Sequence, residues 1–171
     1  MLDAFRHIST FVFDVDGVMT DGSLLVMPGG VMARRMNIKD GYALQLAIKK
    51  GYRVLVISGG DSPEVKDRLE KLGVTEVWMK THHKKQVLTE YLAKYGINRD
   101  HVLYMGDDIP DLDVMQLAGL PCCPLDAVQE IKDKSVYISH HNGGGGCVRD
   151  VIEKVMKLRG DWNEDTTIRS R

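Results

Sequence analysis

Short apolar runs alternate with longer stretches of helical spacing along most of this chain, and that alternation limits the folds open to it more than any other feature. The runs fall at 11–15, 52–57, 76–79, 102–105, 120–123 and 136–138, each of strand length and largely apolar on successive residues. Between them Asp40 opens a helical pattern that ends at Gly51, and Ser62-Pro63-Glu64 offers N-cap and first-turn chemistry for a helix ending at Gly73. A third pattern ends at Gly96, and further helices are expected near 112–118, 126–133 and 147–158. Strands apolar on both faces and alternating with helices predict a parallel sheet covered by helices on both sides.

One segment breaks the pattern. Residues 23–27 and 31–36 flank Pro28-Gly29-Gly30, which reads as a β-hairpin around a tight turn, an insertion at about 22–37. A two-stranded hairpin is marginal alone in water, and this one carries Leu24, Leu25, Val26, Met27, Val31, Met32 and Met36. It calls for a surface to pack on, either its own domain or another subunit. The 171 residues suit one domain, expected over 1–160, while 161–171 is polar without an apolar period and reads as a mobile tail. With 23 Lys and Arg against 24 Asp and Glu, no basic excess points to a nucleic-acid partner. No basic start followed by an apolar region opens the chain, and no apolar run approaches the roughly 18 residues of a membrane span, so a cytoplasmic protein is expected. The cysteines, odd in number and without CxxC spacing, read as reduced core residues.

In open parallel sheets ligands bind beyond the carboxyl ends of the strands, and there the acids of this chain gather. Asp14-Val15-Asp16-Gly17 closes the first run, Ser58-Gly59-Gly60 follows the second, and Gly106-Asp107-Asp108, with Asp111 close behind, follows the fourth. Carboxylates at neighbouring strand ends repel one another unless a cation sits among them, and a hard, oxygen-liganded divalent ion such as Mg2+ suits that set. The period of two along a strand puts Asp14 and Asp16 on one side. A carboxylate can attack phosphorus while a second acid protonates the leaving oxygen and later activates water. Phosphoryl transfer otherwise asks for positioning and charge neutralisation. Ser58-Gly59 offers a hydroxyl and a close backbone, and Lys84 or its neighbour Lys85 a cation. A lone DxD is common in surface turns; acids, a serine and a lysine standing together after successive strands are not. His82 and His83 lack cysteine or acid at zinc-ligand spacing. The glycines at 143–146 either cradle an anion or serve as a flexible connection, with His140 and His141 read as loop residues.

These motifs resemble those of the haloacid dehalogenase superfamily of phosphatases. Asp14-Val15-Asp16-Gly17-Val18, Ser58-Gly59, Lys84 and Gly106-Asp107-Asp108-Ile109-Pro110-Asp111 stand in its order, over about residues 11–149. The resemblance implies an α/β, Rossmann-like three-layer sandwich with a mainly parallel central sheet and a β-hairpin insertion after the first strand. It makes Asp14 the nucleophile and Asp16 the acid/base. Mg2+ would be held by Asp14, the Asp16 main-chain carbonyl and Asp107, and phosphate by Ser58, Gly59 and Lys84, with Asp108 and Asp111 one layer behind. The family's spacing favours Lys84 over Lys85.

Neither gap between motifs has room for a cap domain, so the likeness is to the capless branch, in which a neighbour's hairpin covers the site of a homotetramer. Asp21-Gly22 and the segments 36–42 and 143–149 resemble those of members that hydrolyse 3-deoxy-octulosonate 8-phosphate, a small acidic sugar phosphate on the way to lipopolysaccharide. Members acting on nonulosonate 9-phosphates share the catalytic motifs. Substrate contacts are expected from Asp40, Gly41, Gly60, Arg68 and Arg149. Many eight-carbon members read Thr-Gly-Arg where this chain has Ser58-Gly59-Gly60. That leaves Arg34, Arg35, Arg68 or Arg149 for the substrate carboxylate, unless each is simply an exposed helix or hairpin arginine. A non-catalytic oligomerisation module could dispense with the acids that this chain retains. A phospho-acceptor receiver domain would be shorter, with an acidic pair ahead of its acceptor.

Overall fold

Along β1 (Thr10–Phe13) every residue is buried, and the period of two sends Phe11 and Phe13 to one face of the strand and Val12 to the other. A strand with no solvent face must lie inside a sheet covered on both sides, and this is its position in the computed structural model, which describes residues 2–170. After α1 (Leu2–Arg6) and β1 come the hairpin strands β2 (Leu25–Val26) and β3 (Met32–Ala33), then α2 (Ile38–Lys49), β4 (Arg53–Ile57), α3 (Pro63–Lys71) and β5 (Glu76–Trp78). The second half runs α4 (Lys84–Tyr95), β6 (Val102–Met105), α5 (Leu112–Met115), β7 (Leu120–Cys123), α6 (Gln129–Lys132), β8 (Tyr137–Ile138) and α7 (Cys147–Arg159).

The six-stranded sheet has the order β5-β4-β1-β6-β7-β8, with all its pairs parallel. The chain moves outward from β1 through β4 to β5, then returns to the other flank of β1 as β6. That reversal opens a crevice at the carboxyl ends of β1, β4 and β6. Phe11 and Phe13 pack in a core with Phe5, Leu44, Leu69 and Val151 from α1, α2, α3 and α7. Val12 belongs to a second core with Leu88, Met115 and Ile131 from α4, α5 and α6. The α/β sandwich with its parallel sheet and hairpin insertion is therefore as the sequence implies.

Three local features depart from expectation. The hairpin ladder is shorter than 23–27 with 31–36, pairing only Leu25 with Ala33 and Val26 with Met32. Leu24, Leu25, Val26, Met27, Val31 and Met32 stay exposed, Leu25 and Val26 at 66% and 69%, while Met36 packs against the core. The helix expected from Asp40 begins at Ile38, because the Asn37 side chain accepts from the Lys39 amide and caps it. The segment after Gly160, expected as a mobile tail, lies against α2. There the Asp165 amide donates to the Tyr42 hydroxyl at 3.0 Å, Lys49 pairs with Asp165, the Trp162 ring meets Tyr42 edge-on and Ile168 reaches the core. Met1 and Arg171, which end the two expected spans, lie outside the described residues. Among the described residues no helix is long and apolar enough to cross a membrane.

Candidate active site

The chain turns sharply after β1, and the turn depends on Gly17. Its φ of +84° lies in the left-handed region, and a Cβ there would collide with the Asp107 carboxylate. Glycine thus lets the loop after β1 approach the loop after β6. Between them, and flanked by the loop after β4, opens a cleft of about 430 Å³. Asp14, Asp16, Ser58, Gly59, Gly60, Lys84, Asp107, Asp108 and Asp111 all line it, so residues spread over most of the chain converge.

Asp14 is 7% exposed. Its Oδ1 accepts from the Val15 amide at 2.7 Å and lies 3.0 Å from Lys84 Nζ. Lys84 opens α4, and its ammonium also donates to Asp111 Oδ1 at 2.8 Å. Asp111 is engaged at both oxygens: Oδ1 additionally accepts from the Tyr104 hydroxyl at 2.7 Å, and Oδ2 from the Asp107 amide at 3.2 Å. It orients Lys84 and the Asp107 backbone from behind. Ser58 is buried at the end of β4, and its Oγ accepts from the Gly60 amide at 3.1 Å, which curls that turn toward the cleft. Asp108 caps the turn after β6 by accepting from the Ile109 amide.

Carboxylate oxygens of Asp14, Asp107 and Asp111 lie within 4.8 Å of one another. Burial lifts the Asp14 carboxyl to about 7, reinforced by the charge of Asp111 and opposed by Lys84. Burial, followed by repulsion from Asp14, Asp111 and Asp108, lifts Asp107 to about 8. Lys84 is held above its ordinary value: burial works against its charge, but Asp14 and Asp111 outweigh it. Asp107 Oδ1 is buried without a hydrogen-bond partner. An orphaned carboxylate oxygen amid crowded acids that one ammonium does not neutralise fits a hard divalent cation. The cluster differs from the expected ligand set in that Asp111 joins Asp14 and Asp107, although its oxygens are already taken.

The remaining expectations fall in different places. Of the substrate candidates Gly60 lines the cleft, whereas Asp40, Gly41, Arg68 and Arg149 are not part of its wall. Asp40 is buried in the first turn of α2, where its Oδ1 accepts from the Arg149 amide at 2.8 Å and caps the first turn of α7. Burial lifts its carboxyl to about 6. The Arg149 guanidinium stands over the Tyr42 and Trp162 rings and pairs with Glu153. Arg34 corrects the reading of an exposed hairpin arginine: its side chain is 6% exposed and grips Asp16. Arg35 does fit it, at 85% exposed and paired with Asp21. Gly17, Gly22, Thr81, His82 and Pro110 complete the cleft wall. Tyr104, inside an apolar strand run, gives no sequence signal of its role under Asp111.

Residues 65–152 match the family model of haloacid dehalogenase-like hydrolases, and the chain belongs to that family, as an enzyme of its phosphatase class. Among individual relatives, it is 30% identical to the 3-deoxy-D-manno-octulosonate 8-phosphate phosphatase of Salmonella typhi, over 93% of this chain and 85% of that one. The crystal structure of the phosphatase of that name from Yersinia pestis superposes with a TM-score of 0.91 at 29% identity, covering 94% of this chain and 86% of that one. The Moraxella catarrhalis phosphatase, solved with a magnesium ion, a phosphate ion and a KDO molecule, gives a TM-score of 0.90 at 30% identity, covering 94% and 92%.

Proposed function

We propose that this chain is a magnesium-dependent phosphatase that hydrolyses 3-deoxy-D-manno-octulosonate 8-phosphate to the free sugar acid and phosphate. The observation that carries the reading is the convergence of Asp14, Lys84, Asp107 and Asp111 beside Ser58 in one cleft. The relatives, nearly full-length in coverage, supply the substrate.

In this reading Asp14 attacks phosphorus. Both of its contacts fall on Oδ1, which leaves Oδ2 for the new bond. As the P–O bond to the sugar breaks, Asp16 gives its proton to the leaving oxygen; it then takes a proton from the water that cleaves the aspartyl-phosphate. Lys84 and the Ser58-Gly59 turn hold the phosphoryl oxygens, and Asp111 keeps Lys84 in place. Asp14 and Asp107 carboxylates and the Asp16 carbonyl would hold Mg2+, which supplies charge neutralisation on the transferring group. The exposed apolar hairpin supports assembly into a homotetramer in which each hairpin covers a neighbouring cleft. A cytoplasmic location goes with this reading, the substrate being a soluble precursor.

The test is phosphate release, with and without magnesium, from the eight-carbon acid 8-phosphate, nine-carbon acid 9-phosphates and hexose phosphates. A magnesium-dependent preference for the eight-carbon substrate by about a hundredfold is expected. Preference for a nine-carbon acid would move the enzyme to the sister activity, and no turnover of any phosphate would remove Asp14 from its role.

A further inference from the structure

Arg34 stands outside the motifs, directly after β3 where the chain leaves the hairpin, yet it makes the most direct contact with the acid/base. Its Nε donates to Asp16 Oδ1 at 2.6 Å and its Nη2 to Asp16 Oδ2 at 3.2 Å, a two-point fork on one carboxylate. Its Nη1 turns back to the Met32 carbonyl at 3.1 Å, so each guanidinium nitrogen is engaged. The side chain is 6% exposed although the hairpin around it is open to solvent. Gly60 makes room for the pair: a Cβ there would stand 2.7 Å from Asp16 Oδ2 and 3.1 Å from Arg34 Nη2. Arg35 is the internal contrast. Its ion pair with Asp21 is solvent-exposed on the arginine side, an arrangement worth little energetically.

We infer that Arg34 is the positioning residue of the acid/base, fixing the Asp16 carboxyl for proton transfer and tying that orientation to the hairpin. The inference rests on the reading above in which Asp16 protonates the leaving group. Asp16 sits in a loop, half exposed, and a carboxyl free to rotate there would spend most of its time out of line with the leaving oxygen. The fork removes that freedom. In the transfer step the Asp14 oxygen–phosphorus bond forms, the phosphorus–leaving-oxygen bond breaks, and the Asp16 proton passes to the departing oxygen. Arg34 exchanges no proton itself and acts only through the Asp16 carboxyl it holds. Its effect should therefore scale with how much the leaving group needs that proton.

The experiment compares kcat/KM, which reports transfer to Asp14, for two kinds of substrate: the sugar phosphate that turns over best, whose alkoxide leaves poorly, and p-nitrophenyl phosphate, whose phenolate leaves unaided. Wild type, R34M, R34K, D16N and R34M/D16N are measured with magnesium. R34M is expected to lose at least about tenfold on the sugar phosphate and less than about threefold on the aryl phosphate. R34K, which keeps the charge but not the fork, should recover only part of the loss. In the D16N background R34M should add less than about twofold, because the group it positions is gone. Equal losses on both substrates would overturn the inference. So would a loss that persists undiminished in D16N, which would assign Arg34 to the substrate instead. Should R34M fail to fold, R34K carries the test through the same alkyl-to-aryl ratio. Wild-type inactivity on both substrates would sink the phosphatase reading itself, a different result from any of these.

Discussion

Lys84→Met keeps the approximate length of the side chain and removes its ammonium from between two acids. Nζ lies 3.0 Å from Asp14 Oδ1 and 2.8 Å from Asp111 Oδ1, with the lysine side chain 8% exposed and that of Asp111 1%. Taking one partner out of a buried ion pair leaves the other charge uncompensated, which costs about 3–5 kcal/mol. That is the loss of folding stability expected in metal-free buffer near neutral to alkaline pH. The dependence on pH follows from Asp14 and Asp107, raised to about 7 and about 8 chiefly by burial. An acid whose folded-state pKa lies above its unfolded value is protonated preferentially in the fold, so its ionisation destabilises the fold as pH rises. Lys84 offsets that repulsion only once the acids are charged. The mutational cost is therefore expected to be larger at about pH 8 than at about pH 5.5, where Asp14 and Asp107 are mostly neutral. Urea unfolding of both proteins at the two pH values, in EDTA, measures it. A cost below about 1 kcal/mol at the higher pH, as for a surface pair, or one equal at both, would mean that Lys84 does not neutralise buried acids here.

Asp14→Asn should fold and retain less than about a thousandth of wild-type phosphate release, since an amide is not a usable nucleophile; near-normal turnover would dismiss the covalent route. In metal-free wild-type protein the melting temperature should fall as pH climbs from about 5 to about 8 and level off above, where Asp14 and Asp107 are ionised in both states, and magnesium at about a hundred times its Kd should restore about 2.7 kcal/mol. A melt indifferent to magnesium at the alkaline end would count against a cation among the acids. Trp162→Ala removes the ring that meets Tyr42 and the Arg149 guanidinium, and should cost about 1–2 kcal/mol while leaving phosphate release unchanged. Unaltered unfolding would mean that the terminal segment contributes nothing to the fold.

Alternation of apolar runs with helical spacing was enough to determine a parallel sheet with two helical coats, because both periods are local properties of the chain. The strand-end positions of Asp14, Ser58 and Asp107 followed from the same reading, since a parallel sheet brings the carboxyl ends of its strands to one edge. Local pattern does not say which distant side chains will share a partner. The tertiary structure alone decided that Arg34 folds back onto Asp16 and that Tyr104 braces Asp111 from a strand otherwise read as plain core. It also decided that Asp40 caps a helix more than a hundred residues away, and that Trp162 and Ile168 anchor a stretch too polar to show any period. Each of these contacts depends on the order of strands in the sheet and on where the loops between them land. That order is settled by the packing of whole elements, which no window of sequence contains.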